Sequence, residues 1–165
     1  MLATLPIQAA PTSSLAQTDA RSWGATLATV LDAGAALVVS RETHAGRIIA
    51  LNGAPSLITL PAAIGDGFEV LLMVTAAAAH VISTADGVND RLVGSALIND
   101  TGDSAAATMD GFPTASNSNT LTCSVAGGLG TIGDTIRLTN YAVDRWSVRA
   151  FGQASTDPAT PFSNV

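Results

Sequence analysis

The chain has 165 residues, of which 47% are apolar and only 12% charged, so it is long enough to bury one core and is not intrinsically disordered. The net charge is −6 and all seven cations are arginines, which argues against nucleic acid as a main partner. With no lysine and two glutamates, the chain lacks the long polar side chains that cover exposed helices. The lone Cys123 excludes an intrachain disulfide and a cysteine metal cluster.

The first thirty residues differ in composition from the rest and predict an extended N-terminal arm over residues 1–30. Pro6 and Pro11 favour extended geometry, and the apolar residues follow neither a helical nor a strand period. Because these residues cannot build their own core, we expect them to lie on a partner subunit; a solvated tail is the alternative. The start has no cationic region, which is not typical of a signal peptide. The residues expected at the interface are Leu2, Leu5, Ile7, Leu15 and Trp23.

A β-rich body is predicted over residues 31–152, because short apolar runs alternate there with turn-forming Gly, Asn, Asp and Pro. The run from Phe68 to Val74 is apolar on both faces, which predicts a central strand covered on both sides. One side can pack in the subunit core and the other needs a neighbour, which favours a homotrimer. The further predicted strands of this part are Leu37 to Ser40, Arg47 to Asn52, Leu57 to Leu60 and His80 to Thr84.

Two later segments lack a strand pattern. The stretch from Asn99 to Asn119 is rich in Gly, Ser, Asn and Asp, which predicts a long exposed loop. Its acidic residues Asp100, Asp103 and Asp110 are irregularly spaced and no bidentate Glu follows them, so we expect solvated carboxylates and not a calcium site. Residues 153–165 contain two prolines and no alternation, which predicts a flexible C-terminal tail.

The clearest pattern is a hairpin between Thr135 and Ala150. Alternation along its second strand places Trp146 in the core, with Leu138 opposite, and turns Arg145 and Arg149 outward. Because Trp146 lies on the face opposite to both arginines, core packing is favoured over stacking on a sugar.

One strand start occurs twice. Ile64-Gly65-Asp66 leads into one apolar run and Ile132-Gly133-Asp134 leads into another. The whole pattern indicates about eight to ten strands joined by short turns. We therefore predict an all-β fold, an antiparallel jelly-roll-like sandwich or barrel. A parallel α/β fold is excluded, because no long helical segment separates the strands.

The titratable residues form no recognisable catalytic pattern. Glu42 and His44 could share one face of a strand, but a solvated turn is favoured. His80 is predicted to be a hydrogen-bonded histidine at a sheet edge, and Cys123 a small buried apolar residue. We therefore predict no catalytic residue, no cofactor and no metal site, and a structural or binding protein rather than an enzyme.

Several of these runs resemble segments of small β-rich virion proteins of tailed bacteriophages, among them head decoration (cement) proteins and domains of tail fibres. The resemblance covers about Val38 to Gly152. The residues that carry it are Ile58-Thr59-Leu60-Pro61, Ile64-Gly65-Asp66 with Phe68-Glu69-Val70, Ile132 to Leu138, Asp144 to Val148, and Phe151-Gly152.

In such decoration proteins, β-rich subunits form a trimeric knob at a capsid three-fold position and clamp major capsid subunits with extended termini. The resemblance implies a homotrimer on the outside of the phage head, made in the host cytoplasm, that binds the major capsid protein and neither nucleic acid nor membrane. The alternative is a receptor- or glycan-binding module of a tail fibre or spike. That module needs exposed aromatic residues, and only 4% of this chain is aromatic. A hydrolase is the least favoured class.

Overall fold

The computed structural model describes residues 31–52, 55–102 and 108–165. The five predicted interface residues, Leu2, Leu5, Ile7, Leu15 and Trp23, lie outside these ranges. Within the ranges, the chain forms twelve strands and one short helix. In chain order these are β1 (Leu31–Asp32), β2 (Ala36–Val38), α1 (Arg41–His44), β3 (Ile48–Asn52), β4 (Ser56–Thr59), β5 (Glu69–Ala76), β6 (His80–Ser83), β7 (Arg91–Asp100), β8 (Met109–Pro113), β9 (Thr120–Cys123), β10 (Thr135–Ala142), β11 (Arg145–Ala154) and β12 (Phe162–Ser163).

The strands form two sheets that enclose one hydrophobic core, which confirms the predicted all-β sandwich. Sheet A has seven strands in the order β1-β3-β5-β10-β11-β7-β8. Sheet B has five strands in the order β12-β9-β6-β4-β2. On β5, β10 and β11, buried residues alternate with residues that face away from the partner sheet, as a half-covered sheet requires.

The pairing is mixed rather than wholly antiparallel. In sheet A, β1, β3 and β5 run parallel, and in sheet B, β2, β4 and β6 do the same. The first six strands therefore alternate between the two sheets. Two successive parallel strands of one sheet are connected by a strand of the other sheet, and not by a long helix. A jelly-roll order of strands stays a prediction.

The alternation predicted for the last hairpin is confirmed. Trp146 is fully buried on the inner side of β11, and its ring meets that of Phe68 edge to face, with centroids 5.9 Å apart. Arg145 and Arg149 lie on the exposed side of the same strand. The strand predicted from Phe68 to Val74 is largely β5, whose inner side packs in this core and whose outer apolar residues are half-buried.

The residue opposite Trp146 is Asn140, whereas Leu138, which alternation alone places there, pairs with Val148. The pairing differs from the prediction because β10 extends to Ala142, which makes the turn between β10 and β11 shorter than the sequence pattern indicates. Asn140 is fully buried, yet its amide is satisfied by backbone groups. Its oxygen accepts from the N–H groups of Ile64 (3.0 Å) and Gly65 (2.7 Å), and its Nδ2 donates to the carbonyls of Ala142 (3.2 Å) and Arg145 (3.0 Å). Asn140 thereby ties the first Ile-Gly-Asp turn to the end of β10.

Both Ile-Gly-Asp segments precede strands of sheet A, as the repeat predicts. The strands that follow them, β5 and β10, are antiparallel neighbours. Gly65 and Gly133 have φ values of +77° and +95°, a region that favours glycine. Each Asp then accepts a nearby backbone N–H, that of Phe68 at 3.1 Å for Asp66 and that of Thr131 at 2.8 Å for Asp134.

Both segments predicted to be irregular contain strands. Within the predicted loop from Asn99 to Asn119, β8 pairs antiparallel with β7, and Phe112 packs against the core. Residues 153–165 are not a flexible tail, because residues 153 and 154 complete β11, and β12 pairs with β9 while Phe162 is only 8% exposed. One core-packed aromatic residue in each segment holds it on the sandwich, which is too sparse a signal to form an alternating pattern.

His80 lies inside the sandwich and not at a sheet edge. It begins β6, which has β4 and β9 as neighbours, and its side chain is 1% exposed. Its Nδ1 accepts from the N–H of Ser56 at 3.3 Å, and its Nε2 has no hydrogen-bond partner among the described residues. Burial lowers the pKa of His80 below its usual value, because a charged imidazole would lose its hydration.

We expect the free energy of unfolding to decrease as the pH falls through 6.5, the ordinary pKa of histidine. Below that pH the unfolded chain binds a proton that the folded chain, with its lowered His80 pKa, does not bind until a lower pH. Urea unfolding between about pH 7.5 and pH 5.5 measures this loss. His80→Gln, which keeps a polar group but cannot titrate, is expected to flatten the dependence; an unaltered slope in that variant would contradict the assignment.

Candidate functional site

The residues singled out for chemistry are not gathered into one site. Glu42 and His44 share α1, but no hydrogen bond or ion pair joins them within the described ranges. Asp100 is buried and accepts a backbone N–H two residues further on at 2.8 Å, Asp110 is half-buried in β8, and Asp103 lies outside the described residues. In the part of the chain that the structure describes, no group of three or more His, Cys, Asp or Glu could hold a metal ion. No helix there is long and apolar enough to cross a membrane.

Cys123 is fully buried on the inner side of β9, as predicted. Burial, and to a smaller extent the negative charge of Asp134, raises the pKa of its thiol far above the usual range. The thiol therefore stays protonated at neutral pH, and it is not available as a nucleophile or a metal ligand.

The outward face of sheet A carries two adjoining depressions of about 490 and 370 Å³. Both are lined by Glu69, Arg137 and Arg149. The first also includes Val93, Thr139, Tyr141 and Ser147, and the second Leu71, Thr135 and Phe151. We call the two depressions together the arginine groove.

The arginine groove runs along β10 and β11 and has an aromatic residue at each end. Tyr141 is 50% exposed and Phe151 is 53% exposed. Phe151 pairs with Thr135, which lies six residues before Tyr141 on β10, so the groove is about 20 Å long. Alternation predicts the outward direction of Arg149, but the groove also needs Glu69 from β5, which lies 68 positions before Arg137. Along β10, the alternation of polar and apolar residues places Arg137 on the outer side. β5 is apolar on both sides from Val70 to Val74, so no such pattern indicates the side of Glu69.

The charges in the arginine groove do not balance. Glu69 Oε2 accepts from Nε and Nη2 of Arg137 at 2.9 and 2.7 Å, and from the Thr139 hydroxyl at 3.2 Å. Arg149 lies directly opposite Arg137 on the neighbouring strand, and within the described residues its side chain makes no hydrogen bond or ion pair. The groove therefore holds two guanidinium groups and one carboxylate, so one positive charge is not neutralised. The two like charges also lie directly opposite each other, which destabilises a sheet pair.

The outward face of sheet B differs from that of sheet A, because none of the described residues at its outward strand positions is charged. Val38 is 74% exposed and Leu57 is 50% exposed. We call this surface the uncharged face. It comprises Ala36, Val38, Leu57, Thr59, Val81, Ser83 and Thr122. A depression of about 270 Å³ lies on this face and is lined in part by Leu57, Val81 and Ser83. Exposed apolar side chains around such a depression are suited to contact with another protein surface.

The described part of the molecule thus offers two faces of opposite character. The arginine groove on sheet A is concave and carries an excess guanidinium, and the uncharged face on sheet B is partly apolar. Comparisons with protein-family models, with curated proteins and with solved structures found no match. A function for the chain has therefore to be inferred from these two faces and from the sequence.

Proposed function

We propose that this protein is a virion structural protein, a capsid decoration or cement protein that binds the outside of a tailed-phage head and stabilises the shell. The observation that carries the proposal is the uncharged face, on which Val38 and Leu57 are exposed and the described strand residues around them carry no charge. Exposed apolar patches of this kind commonly mark protein interfaces. The twofold Ile-Gly-Asp strand start and its resemblance to phage virion proteins support the same function.

In this proposal the subunits form a homotrimer through the uncharged face, and not through the outer side of β5 from which the sequence predicts it, because that side is already half-buried and carries Glu69. Three of the four edge strands, β1, β2 and β12, have only two or three residues. Such short edges present few unpaired backbone groups, so adding a strand from a neighbour at these edges has little to gain. A face without charge can be covered without desolvating an ion, which makes a face contact the more favourable route.

In the same proposal, the N-terminal residues 1–30 bind the protein to the shell by contacting the major capsid protein. These residues contain Leu2, Leu5, Ile7, Leu15 and Trp23, which have no period from which a separate core could be built. The two attachments are separable, since one uses the sandwich and the other the N-terminal segment.

We expect a light-scattering mass three times the 16.5 kDa of one chain. Leu57→Arg introduces a buried, unpaired charge into the proposed contact and should reduce this mass to that of one chain. Val88→Arg is the matched control, because Val88 is 74% exposed but lies on a turn outside both faces; this variant should remain a trimer. Val88→Arg should unfold at the same denaturant concentration as the parent. Leu57→Arg should still unfold in one cooperative transition, at a lower midpoint, because it loses the stabilisation that assembly gives the folded chain.

Attachment is tested by sedimentation with shells of the encoding phage prepared without this protein. The full chain should sediment with the shells, and a chain lacking residues 1–20 should remain a trimer in the supernatant. Sedimentation of the shortened chain in equal amount would overturn the assignment of the N-terminal segment. A single-chain mass for the unaltered protein would overturn the trimer.

A second candidate function, a glycan-binding module of a virion, is favoured by one specific observation. The arginine groove has Tyr141 and Phe151 exposed at its ends and polar side chains between them. The low aromatic content of the chain thus does not exclude such a module, because two of its few aromatic rings stand on one outer face.

A further inference from the structure

We propose that the arginine groove binds an acidic saccharide, and that Arg149 holds the carboxylate of its sugar acid. The proposal rests on the second candidate function, glycan binding, and specifies the chemical class of the ligand. It is independent of the uncharged face and of the N-terminal residues 1–30, so a decoration protein could carry this groove on a surface away from its subunit contact.

The charge arrangement points to an anionic ligand. In a chain of net charge −6, two arginines stand directly opposite each other on neighbouring strands. Arg137 is held by Glu69, so it is neutralised and fixed in position. Arg149 keeps its five N–H donors for a ligand, and a guanidinium binds a carboxylate through two parallel hydrogen bonds. A bound carboxylate would also remove the repulsion between the paired arginines.

The remaining groups of the groove fit a sugar. The three side-chain contacts of Glu69 with described residues all use Oε2, so Oε1 can accept a hydrogen bond from a ligand hydroxyl. The Ser147 hydroxyl lies between Arg149 and Tyr141 along the groove and can both donate and accept. The exposed rings of Tyr141 and Phe151 offer apolar surfaces to the C–H faces of sugar rings at the two ends.

An extended peptide fits this groove less well than a saccharide. The groove lies over the middle of sheet A, where β10 is paired with β5 on one side and with β11 on the other. Peptides that bind to sheets add a strand at an edge and use unpaired backbone groups, which a paired sheet face does not offer. A ligand recognised only by side-chain hydroxyls, carboxylate and guanidinium matches the groups that this face presents.

The test uses the full chain and isothermal titration calorimetry with two acidic probes, tetragalacturonate and sialyllactose. Each has a neutral counterpart, fully methyl-esterified tetragalacturonate and lactose. At least one acidic probe should bind the parent protein at least tenfold more tightly than its counterpart, because the neutral form cannot pair with Arg149. Arg149→Gln should weaken that binding about tenfold or more. Arg145→Gln, the same charge change on the same face of β11 but outside the lining of the groove, should leave it unchanged.

The possible outcomes distinguish glycan binding by the groove from its preference for an acidic sugar held by Arg149. If a neutral probe binds as tightly as its acidic partner, glycan binding stands and the acidic preference is overturned. If Arg149→Gln binds the acidic probe as tightly as the parent, the role of Arg149 is overturned. If no probe binds, both this proposal and the second candidate function are overturned. Binding of tetraglutamate with the affinity of tetragalacturonate would overturn the saccharide class in favour of an acidic peptide.

Discussion

Replacing Trp146 by alanine is expected to lower the free energy of unfolding by about 3–5 kcal/mol, the usual cost of truncating a large buried aromatic residue. Trp146 is 0% exposed and packs edge to face on Phe68. The truncation leaves a cavity on the inner side of β11, in the centre of sheet A, where neighbouring strands cannot easily collapse to fill it. Urea unfolding followed by far-ultraviolet circular dichroism measures the change.

Two further variants make this expectation specific. Trp146→Phe keeps an aromatic ring and removes Nε1, a donor with no partner among the described residues, so it should cost less than the alanine variant. Tyr141→Ala removes a half-exposed ring from the same hairpin and should cost only a small fraction of that amount. An unfolding midpoint of Trp146→Ala equal to that of the parent would show that the indole is not a core residue.

Gly94→Ala is the second change with a large expected effect, about 3 kcal/mol or more. Gly94 has φ = +151°, a conformation that L side chains rarely adopt. A Cβ at this position would lie 1.9 Å from the carbonyl oxygen of Val148, its partner in the parallel pair of β7 and β11. The obstacle is backbone and not a flexible side chain, so the two strands would have to move apart.

Gly111→Ala is the matched control for Gly94→Ala. Gly111 lies in β8, the other neighbour of β7, and the atom nearest to a Cβ there is Cδ2 of Leu97 at 3.6 Å, an ordinary contact. We expect this variant to change the stability by less than about 1 kcal/mol. Equal unfolding midpoints for the two alanine variants would mean that β7 and β11 are not in close contact at Gly94.

Local pattern predicts part of this fold, because alternation within one strand reports which side is covered. It places Trp146 inside and Arg149 outside, and the Ile-Gly-Asp segments mark the starts of β5 and β10. It does not tell which strands become neighbours, since that depends on pairing between distant residues. His80 is therefore assigned to an edge although its strand lies inside sheet B, and the parallel pairs are missed.

The candidate sites show the same division. The composition shows that the chain has few charged residues, but it does not show the uncharged face. That face forms because β2, β4, β6 and β9 are neighbours in sheet B. The arginine groove likewise combines Glu69 of β5 with two residues from the hairpin. Asn140 reads as a turn former by residue type, yet its buried amide binds backbone from two separate segments. Such polar residues acquire their role from tertiary partners, which spacing along the chain does not encode.

The position of the β10–β11 hairpin in sheet A has a consequence for synthesis. The hairpin lies between β5 and β7, although both of those strands are made earlier. While the ribosome is still adding residues before Thr135, β5 and β7 each lack the neighbour that the finished sheet gives them. A nascent chain therefore carries two unpaired strand sides that can capture other chains, and non-local pairing of this kind is slow. Productive closure of the sandwich has to wait until β10 and β11 have been synthesised.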